Sequence, residues 1–568
     1  MIPSIFDSQT NGFITQWTVA GDATARTITL PLVQNRTEGA LAYNCTVNWG
    51  DGSALSTVTS YNDASRVHTY TANGTYNVEV RGTCEGWSFN DTGDKVKIVK
   101  VIYWGDAGGF NGFKYLKNGF HGCSSLTSIG TGPILPSGTG IGIDGFNGLF
   151  YNCTSLAAVP PDLFRYNTAV STNAFRDTFN DCYLLTSIPA DLFRYNTAVS
   201  DFGFMRTFVA CIALTSIPAD LFRYNTAVGL AGFQATFSEC HALVSIPVDL
   251  FRYNTALSDN GFVSTFSTCN SLTPIPTDLF RYNTLVAASG FQYTFNGCTS
   301  LTSIPVDLFK YNVNVSSYGF NNTFNGCTSL TSIPTDLFRY NTAVASNGFN
   351  STFYGCTSLT SLPTDLFRYN TAVTFSGFTS TFQGCSSLAT IPADLFRYNT
   401  ACVNWASCFQ DCVQLQVLSN LFYEPGEEAT RFLNQAINFS NVFNRTVFSG
   451  TQGTAPNLWI CDFGEKITLS TAPATDWAPG DVITGQTSGA TVVVVSKVSS
   501  LVYKIKQHFG TFTLGEIVGV TGVPVKLAAQ DGTHPTFSGT PTSAGCFGGA
   551  GNSLTSLNNY ASIPLSWE

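Results

Sequence analysis

Nine cysteines of this chain stand 29 residues apart, and this column constrains the fold more than any other feature of the sequence. Its members are Cys153, Cys182, Cys211, Cys240, Cys269, Cys298, Cys327, Cys356 and Cys385. Around them recurs a phrase close to GF-x-x-TF-x-x-C-x-x-L-x-x-IP-x-DLFRYNTAV. A period of this length is typical of solenoids, in which each copy buries its apolar face only against its neighbours. The repeat therefore predicts the architecture, and function must be sought in the surface that it displays.

The copy at residues 232–257 shows how the phrase is expected to fold. Phe233 and Phe237 lie four residues apart, which predicts one apolar face of a short helix. In residues 243–247 apolar residues flank Ser245 and a proline ends the segment, which predicts a short strand that stacks in a parallel sheet. Residues 249–254 predict a second helical turn. The sequence therefore predicts an α/β solenoid with a 29-residue period over residues 106–464.

Three polar columns accompany the repeat. Asp and Arg recur from Asp162 and Arg165 onward, and they could form either a charged binding stripe or ion pairs between coils that also cap the turns. We favour the ion pairs. The Asn column that begins at Asn167 is suited to side-chain hydrogen bonds with turn backbone.

The 17 cysteines do not by themselves predict disulfides. A column among Phe and Leu positions favours reduced thiols that pack as small apolar groups. The sequence leaves pairing open for Cys45 with Cys84, and for Cys402, Cys408 and Cys412 among themselves.

The Phe, Cys, Leu and Ile-Pro positions of the repeat resemble the leucine-rich repeats of BspA-like surface proteins, whose units carry a similar F-x-x-C-x-x-L-x-x-I signature. The resemblance covers about residues 110–460. Members of that family are mostly adhesins and surface or phage proteins. The resemblance therefore implies binding, with no active-site residues.

Residues 1–105 show alternating strand patterns. The phrase WGDG at residues 49–52, with H-x-Y at 68–70 and GTY at 74–76, resembles PKD-type immunoglobulin-like domains. The resemblance implies a β-sandwich in which Trp49, Tyr70 and Tyr76 fill the core. Asp51 is expected to shape a turn, since one carboxylate is far short of the six to eight oxygens that calcium takes.

The repeat breaks off at the end of the segment 459–464. Residues 465–535 contain strand patterns of another kind and predict a small β domain inserted near the end of the solenoid. An LTSL phrase and Ile563-Pro564 then echo the repeat, so residues 536–568 are predicted to form its C-terminal cap.

Composition excludes several functions. Only 11% of residues are charged and the net charge is -9, so the clustered Lys and Arg that nucleic acids require are missing. The five histidines are isolated, and no catalytic or nucleotide-binding motif occurs. The absence of any apolar run of about 18 residues argues against membrane insertion. We expect no enzyme activity, cofactor, metal or nucleic-acid partner.

The first residues lack the basic and apolar regions of a secretory signal, while the weakly charged surface is typical of proteins that work outside a cell. Release by lysis would reconcile the two. We therefore expect a non-enzymatic virion surface protein, such as a phage tail fibre or receptor-binding protein. Its partners would be other virion proteins and a host-surface glycan or protein, and homo-oligomers are left open. The alternatives are a structural capsid or tail decoration protein, and a BspA-like adhesin of the bacterial cell surface.

Comparison among the copies suggests a contact surface. Core positions hardly change, whereas the residues after and before the GF phrase vary, and on the predicted helix they would point away from the apolar face. Drift on an unconstrained surface would give the same pattern. The predicted receptor-contact residues are Gln234, Gln292, Tyr293, Tyr318, Asn321, Asn322, Asn350 and Thr379.

Overall fold

The computed structural model describes residues 11–36, 39–136, 140–415, 421–423, 426–427, 430–432, 435, 437–444, 446, 466–469, 476–485, 489–509, 517–520 and 523–526. The chain divides into two compact units, Met1–Leu301 and Thr302–Glu568, and each is described by itself.

The first unit begins with ten strands. The strands are β1 (Phe13–Val19), β2 (Thr27–Thr29), β3 (Asn35–Arg36), β4 (Gly39–Ala40), β5 (Tyr43–Asn48), β6 (Ser56–Val58), β7 (Val67–Thr69), β8 (Gly74–Cys84), β9 (Ile98–Trp104) and β10 (Ser128–Thr131). Two 3-10 turns, Ala64–Arg66 and Lys95–Lys97, precede β7 and β9. Six strands form one sheet in the order β10-β9-β1-β8-β5-β6, while β2 pairs with β7 and β3 with β4.

Alternation along the strands places apolar side chains on one side of the large sheet. In β5, Tyr43, Cys45 and Val47 are buried, and the residues between them are not. Trp49 and Tyr70 are buried as predicted, but Tyr76 is only half-buried and stacks on Tyr70 with ring centroids 3.9 Å apart. We expected two sheets. The structure has one six-stranded sheet and two short two-stranded sheets in this region.

The large sheet does not end at the predicted boundary, residue 105. Strand β10 lies beyond it and pairs in parallel with β9, with Ile129 opposite Val101. The aromatic core also continues, because Trp104 contacts Phe120, and Phe120 stacks on Phe150 at 5.5 Å. The N-terminal sheet thus provides the first layer on which the repeats stack.

The repeats of the first unit contain no helix, so the predicted α/β character is wrong. Across all described residues the structure has only the two 3-10 turns and no α-helix. Around Phe233, overlapping β-turns replace the helix: the amides of Gln234 and Thr236 donate to carbonyls three residues back. The amides of Phe233 and Phe237 donate instead to carbonyls 28 residues ahead, at 3.2 and 2.9 Å. Successive amides along this segment therefore donate alternately to a carbonyl of the next coil and to a carbonyl of their own coil.

Left-handed residues make this alternation possible. Ala231, Ala235 and Glu239, four apart, have φ of 48°, 52° and 62°. A conformation that repeats every four residues buries positions i, i+3, i+4 and i+7, as an α-helix does with 3.6 residues per turn. The spacing of Phe233 and Phe237 therefore could not separate the two structures.

The predicted parallel strands are only rudimentary. Residues 243–247 form no regular strand, and Val244 N–H donates to Thr215 O at a long 3.4 Å. The continuous ladder between coils lies in the turn segment instead.

Three buried polar columns join each coil of the first unit to the one before it. Thr236 Oγ1, Cys240 Sγ and Asn254 Nδ2 donate to the carbonyls of Phe204, Phe208 and Phe222, each 32 residues back, at 2.8, 3.2 and 3.1 Å. The predicted role of the Asn column is confirmed. Phe rings stack beside these bonds, with Phe204 and Phe233 centroids 5.7 Å apart.

The thiols are free and buried, as predicted for the column. Cys45 and Cys84 are also free thiols, and Cys84 Sγ donates to Gly86 O at 3.9 Å. Cys402, Cys408 and Cys412 are likewise free and buried.

The second unit contains coils of the same kind, and an arginine follows its last column asparagine. Asn399 Nδ2 donates to Phe367 O and Asn370 O, both at 3.0 Å. In the following coil Arg431 Nη2 donates to the equivalent carbonyls, Phe396 O and Asn399 O, both at 3.4 Å. The buried guanidinium thus substitutes for the next asparagine.

Six strands of the second unit form a separate antiparallel sheet within residues 465–535. They are β11 (Lys466–Thr468), β12 (Val482–Gly485), β13 (Thr491–Lys497), β14 (Val502–Phe509), β15 (Ile517–Val520) and β16 (Val523–Lys526), in the order β11-β14-β13-β12-β15-β16. Trp477 and Tyr503 pack in its core with ring centroids 4.8 Å apart. The predicted cap at residues 536–568 lies outside the described residues.

Candidate functional site

The turn segments carry the surface on which most predicted contact residues lie. Each unit has such a surface. We call it the turn face of that unit and define it by two columns with positive φ and the residues next to them. In the first unit the columns include Asp177, Arg206, Ala235, Ser264 and Tyr293, and Asn173, Phe202, Ala231, Asn260 and Ser289; in the second they are Asn322, Ser351 and Ser380, and Tyr318, Asn347 and Ser376. Asn and Ser are frequent there because Asn tolerates the left-handed region better than most residues.

The predicted contact residues differ in exposure. Tyr293 and Tyr318 are exposed, by 37% and 45%. Gln234, Gln292, Asn322, Asn350 and Thr379 are half-buried.

The prediction of Asn321 as a contact residue was wrong. Its side chain is only 7% exposed, so it cannot form part of an open surface. Asn321 lies in a β-turn, where its amide donates to Tyr318 O at 3.1 Å, and its side chain is buried. Asn321 Oδ1 instead accepts a hydrogen bond from Asn322 Nδ2 at 2.5 Å. Asn325 Nδ2 in turn donates to Asn322 Oδ1 at 2.7 Å. These amides fix one another at the base of the turn face.

Phe375 is the most exposed aromatic residue of the turn face in the second unit, at 63%, and it was not among the predicted contact residues. It precedes Ser376, and its column contains Ser317 and Ser346 in neighbouring coils. The backbone at Phe375 is hydrogen-bonded as in the other coils, since its carbonyl accepts from Asn347 N–H at 3.0 Å. An aromatic residue in a column of serines was the signal that could have identified it.

An ion pair marks the turn face of the first unit. Arg206 Nε lies 2.7 Å from Asp177 Oδ1, and Asn180 Nδ2 donates to the same oxygen at 2.9 Å. Both charged residues share the column of Tyr293, at 29-residue intervals, so reading that column across all copies would have found them.

The predicted Asp and Arg columns form a second surface, with a geometry other than expected. From Arg194 to Arg368 the ion pairs of these columns lie within one coil: Arg223 Nη1, for example, is 3.3 Å from Asp220 Oδ1, three residues back. The contact between coils is a cation–π interaction, since the Arg223 guanidinium lies 5.3 Å from the ring centroid of Tyr253. For these residues the expectation of ion pairs between coils was therefore wrong. Arg397 differs, since its Nη2 lies 2.9 Å from Glu427 Oε1 in the following coil.

Two observations concern metal ligands and thiols among the described residues. They contain no group of three His, Cys, Asp or Glu side chains arranged to hold a metal ion. Burial raises the pKa of the column thiols, to about 12 for Cys298 and Cys385, which keeps them neutral. In the part of the chain that the structure describes, no helix has the length and apolarity to cross a bilayer.

Comparisons with known proteins add little. No protein-family profile matches the chain, and no curated protein matches it significantly. Among solved structures, the Drosophila Toll–Spatzle complex matches with 15% identity and a TM-score of 0.24, covering 63% of this chain and 54% of that one. A TLR13–ssRNA13 complex matches with 13% identity and a TM-score of 0.21, covering 59% and 54%. This chain thus spans about half the length of the structures that it matches, and similarity this remote supports no conclusion about function.

Proposed function

We propose that this chain is a non-enzymatic virion surface protein, a phage tail fibre or receptor-binding protein, whose turn face contacts a host-surface glycan or protein. The proposal includes a BspA-like leucine-rich-repeat solenoid and a PKD-like N-terminal domain, which rest on the sequence resemblances. The observation that carries it is the pair of exposed tyrosines, Tyr293 and Tyr318, in the left-handed conformation.

Those tyrosines are difficult to explain by stability. A left-handed non-glycine residue costs about 1–2 kcal/mol, and neighbouring coils fill the same columns with Ser, Asn or Ala. An exposed ring recovers little of that cost through core packing. It does offer apolar area with a polar hydroxyl, the combination that is enriched in binding interfaces.

Repetition supports the proposal further. Each turn-face contact is small, but coils present equivalent positions in register, and a virion would carry several copies of the chain. Multiple simultaneous contacts can raise avidity by about 10²–10⁴ over a single one.

The test replaces each exposed aromatic residue by the residue of a neighbouring coil: Tyr293→Ser as in Ser264, Tyr318→Asn as in Asn347, and Phe375→Ser as in Ser346. Binding of the labelled full chain would be measured on an array of bacterial surface polysaccharides and on intact bacterial cells. We expect the triple variant to bind at least about tenfold more weakly, a loss of about 1.4 kcal/mol. Binding to both probes indicates a glycan receptor, and binding to cells alone indicates a protein.

The matched control is Val306→Thr, a neighbour-derived change at an exposed position outside the turn face that copies Thr335. It should bind like the wild type. Full-strength binding by a triple variant with an unchanged melting temperature would exclude the turn face as the receptor site. Failure of the wild type to bind either probe would favour a structural decoration protein.

A further inference from the structure

A ribbon of Asp, Arg and Tyr side chains follows the coils of the first unit, away from the turn face. We define the ribbon as four triplets: Asp191, Arg194 and Tyr195; Asp220, Arg223 and Tyr224; Asp249, Arg252 and Tyr253; and Asp278, Arg281 and Tyr282. In each triplet the Arg and Asp side chains lie 3.3–3.5 Å apart, and both are nearly half exposed. The ribbon is therefore two parallel rows of opposite charge, edged by tyrosines.

The rows are ordered from coil to coil by the aromatic rings. The Arg194 guanidinium lies 5.8 Å from the centroid of Tyr195 and 5.3 Å from that of Tyr224 in the next coil. The Arg223 guanidinium repeats the arrangement between Tyr224 and Tyr253, at 5.8 and 5.3 Å. Held by two rings each, the guanidinium groups are arranged at regular heights before any partner arrives.

Local stabilisation does not account for all of this ribbon. Exposed ion pairs between residues three apart contribute little, because water screens them and side-chain entropy opposes them. Each guanidinium presents five donors in a planar fork, of which the aspartate three residues back can satisfy only some. Arg and Tyr are also the residue types that are enriched at protein interfaces and their hot spots.

The arrangement of charge selects the partner. A two-fold axis parallel to the stacking direction of the coils turns the ribbon over and exchanges its left and right sides. The Asp row of one copy then faces the Arg row of the other at every coil. A two-fold axis across the rows would instead place Asp opposite Asp and Arg opposite Arg.

We propose that the ribbon of the first unit is a self-complementary interface for a second copy of this chain, in a two-fold dimer whose coils stack in parallel. At each coil the two copies form a square of four charges with alternating sign, and the tyrosines flank it. Isologous interfaces of this kind are the commonest in soluble homo-oligomers. The inference is independent of the receptor proposed for the turn face.

Analytical ultracentrifugation of the full chain at low and high salt tests the proposal. The wild type should dimerise at low ionic strength, and its dissociation constant should rise as salt screens the exposed charges. A variant with Arg223→Asp and Arg252→Asp makes the ribbon acidic, and one with Asp220→Arg and Asp249→Arg makes it basic. Each alone should dimerise at least about tenfold more weakly than the wild type.

Mixing the two variants provides the decisive measurement. An acidic and a basic ribbon are complementary, so the mixture should form a one-to-one heterodimer with nearly the affinity of the wild type. Recovery would also show that both variants are folded. Arg81→Asp, a charge reversal on β8, is the control and should leave dimerisation unchanged. A monomeric wild type at low salt, undiminished dimerisation of either variant, or a mixture that stays monomeric would each overturn the proposal.

Discussion

The buried polar side chains of the repeat share one kind of partner at the residue scale. Thr, Cys and Asn donate to Phe carbonyls of the preceding coil, as Thr236, Cys240 and Asn254 do. An unpaired buried polar group would cost about 1–3 kcal/mol, so each bond ties burial to the correct register between coils. Burial raises the pKa of the column cysteines and so holds them as neutral thiols.

Alkaline instability is the first prediction at this scale. Burial raises the folded-state pKa of these thiols, to about 12 for Cys298, whereas an unfolded thiol titrates near 8.5. Native protein therefore holds its protons where unfolded chain releases them, so stability is full below about pH 8.5 and falls as pH rises toward the folded pKa. We expect a loss of about 1 kcal/mol per buried thiol between about pH 8 and 9.5.

Urea unfolding at several pH values would measure this loss. A variant with Cys240, Cys269 and Cys298 replaced by Ser should be less stable at pH 7 but lose less stability on the alkaline side. Equal slopes for the variant and the wild type would contradict the assignment.

Asp51 gives the second prediction, on the acid side. Burial raises its pKa, but hydrogen bonds from Ser53 and His68 outweigh burial and lower the pKa to about 2. A carboxyl with a depressed folded pKa contributes stability above its unfolded pKa, near 4, and loses it as pH falls toward 2. Asp51→Asn should therefore cost about 1 kcal/mol at pH 5, after allowance for solvent screening, and clearly less at pH 3. If the free energy of unfolding differed between variant and wild type by the same amount at pH 3 and pH 5, the lowered pKa of Asp51 would be refuted.

At the scale of one element, the turn segment depends on its left-handed residues. Ala235 has φ of 52°, where glycine is unstrained and a β-branched residue is strongly disfavoured. We predict that Ala235→Gly leaves stability unchanged or raises it by up to about 1 kcal/mol, and that Ala235→Val lowers it by about 1–2 kcal/mol.

Thermal unfolding would compare these variants with Ala256→Gly. Ala256 is an exposed alanine of the same coil without positive φ, so glycine there should only destabilise. If glycine lowered the melting temperature equally at both positions, the left-handed conformation at Ala235 would be wrong.

The sequence was most informative about which residues are buried and least informative about the backbone that buries them. Phe233, Phe237 and Cys240 are all in the core, as their spacing predicted. The prediction of a helix was wrong because the amides of Phe233 and Phe237 donate to carbonyls of another coil, which no local sequence pattern reveals. The exposure of Tyr293 and Tyr318 followed from variation among copies, whereas the burial of Asn321 depended on the turn geometry.

At the scale of the whole molecule, equivalent coils predict tolerance to loss of one copy. Deleting residues 232–260 removes 29 residues and brings together coils with the same donors and acceptors. We expect a soluble protein with cooperative unfolding and a melting temperature within about 5 °C of the wild type.

Deleting only residues 232–245 should instead cause aggregation, because it moves the Phe, Cys and Asn columns out of register. Expression, solubility and circular dichroism would distinguish the two deletions. Similar behaviour of both would argue against stacked coils.

The alternating amides of the turn segments also determine how the protein would respond to tension. The bonds within a coil, such as Gln234 N–H to Ala231 O, are local, whereas those from Phe233 and Phe237 hold one coil to the next. A pull that separates neighbouring coils loads only the bonds at one junction at a time, as in a zipper. Such a chain would yield coil by coil, each step releasing about 29 residues, roughly 100 Å of extended chain, and would absorb work without losing the coils still stacked.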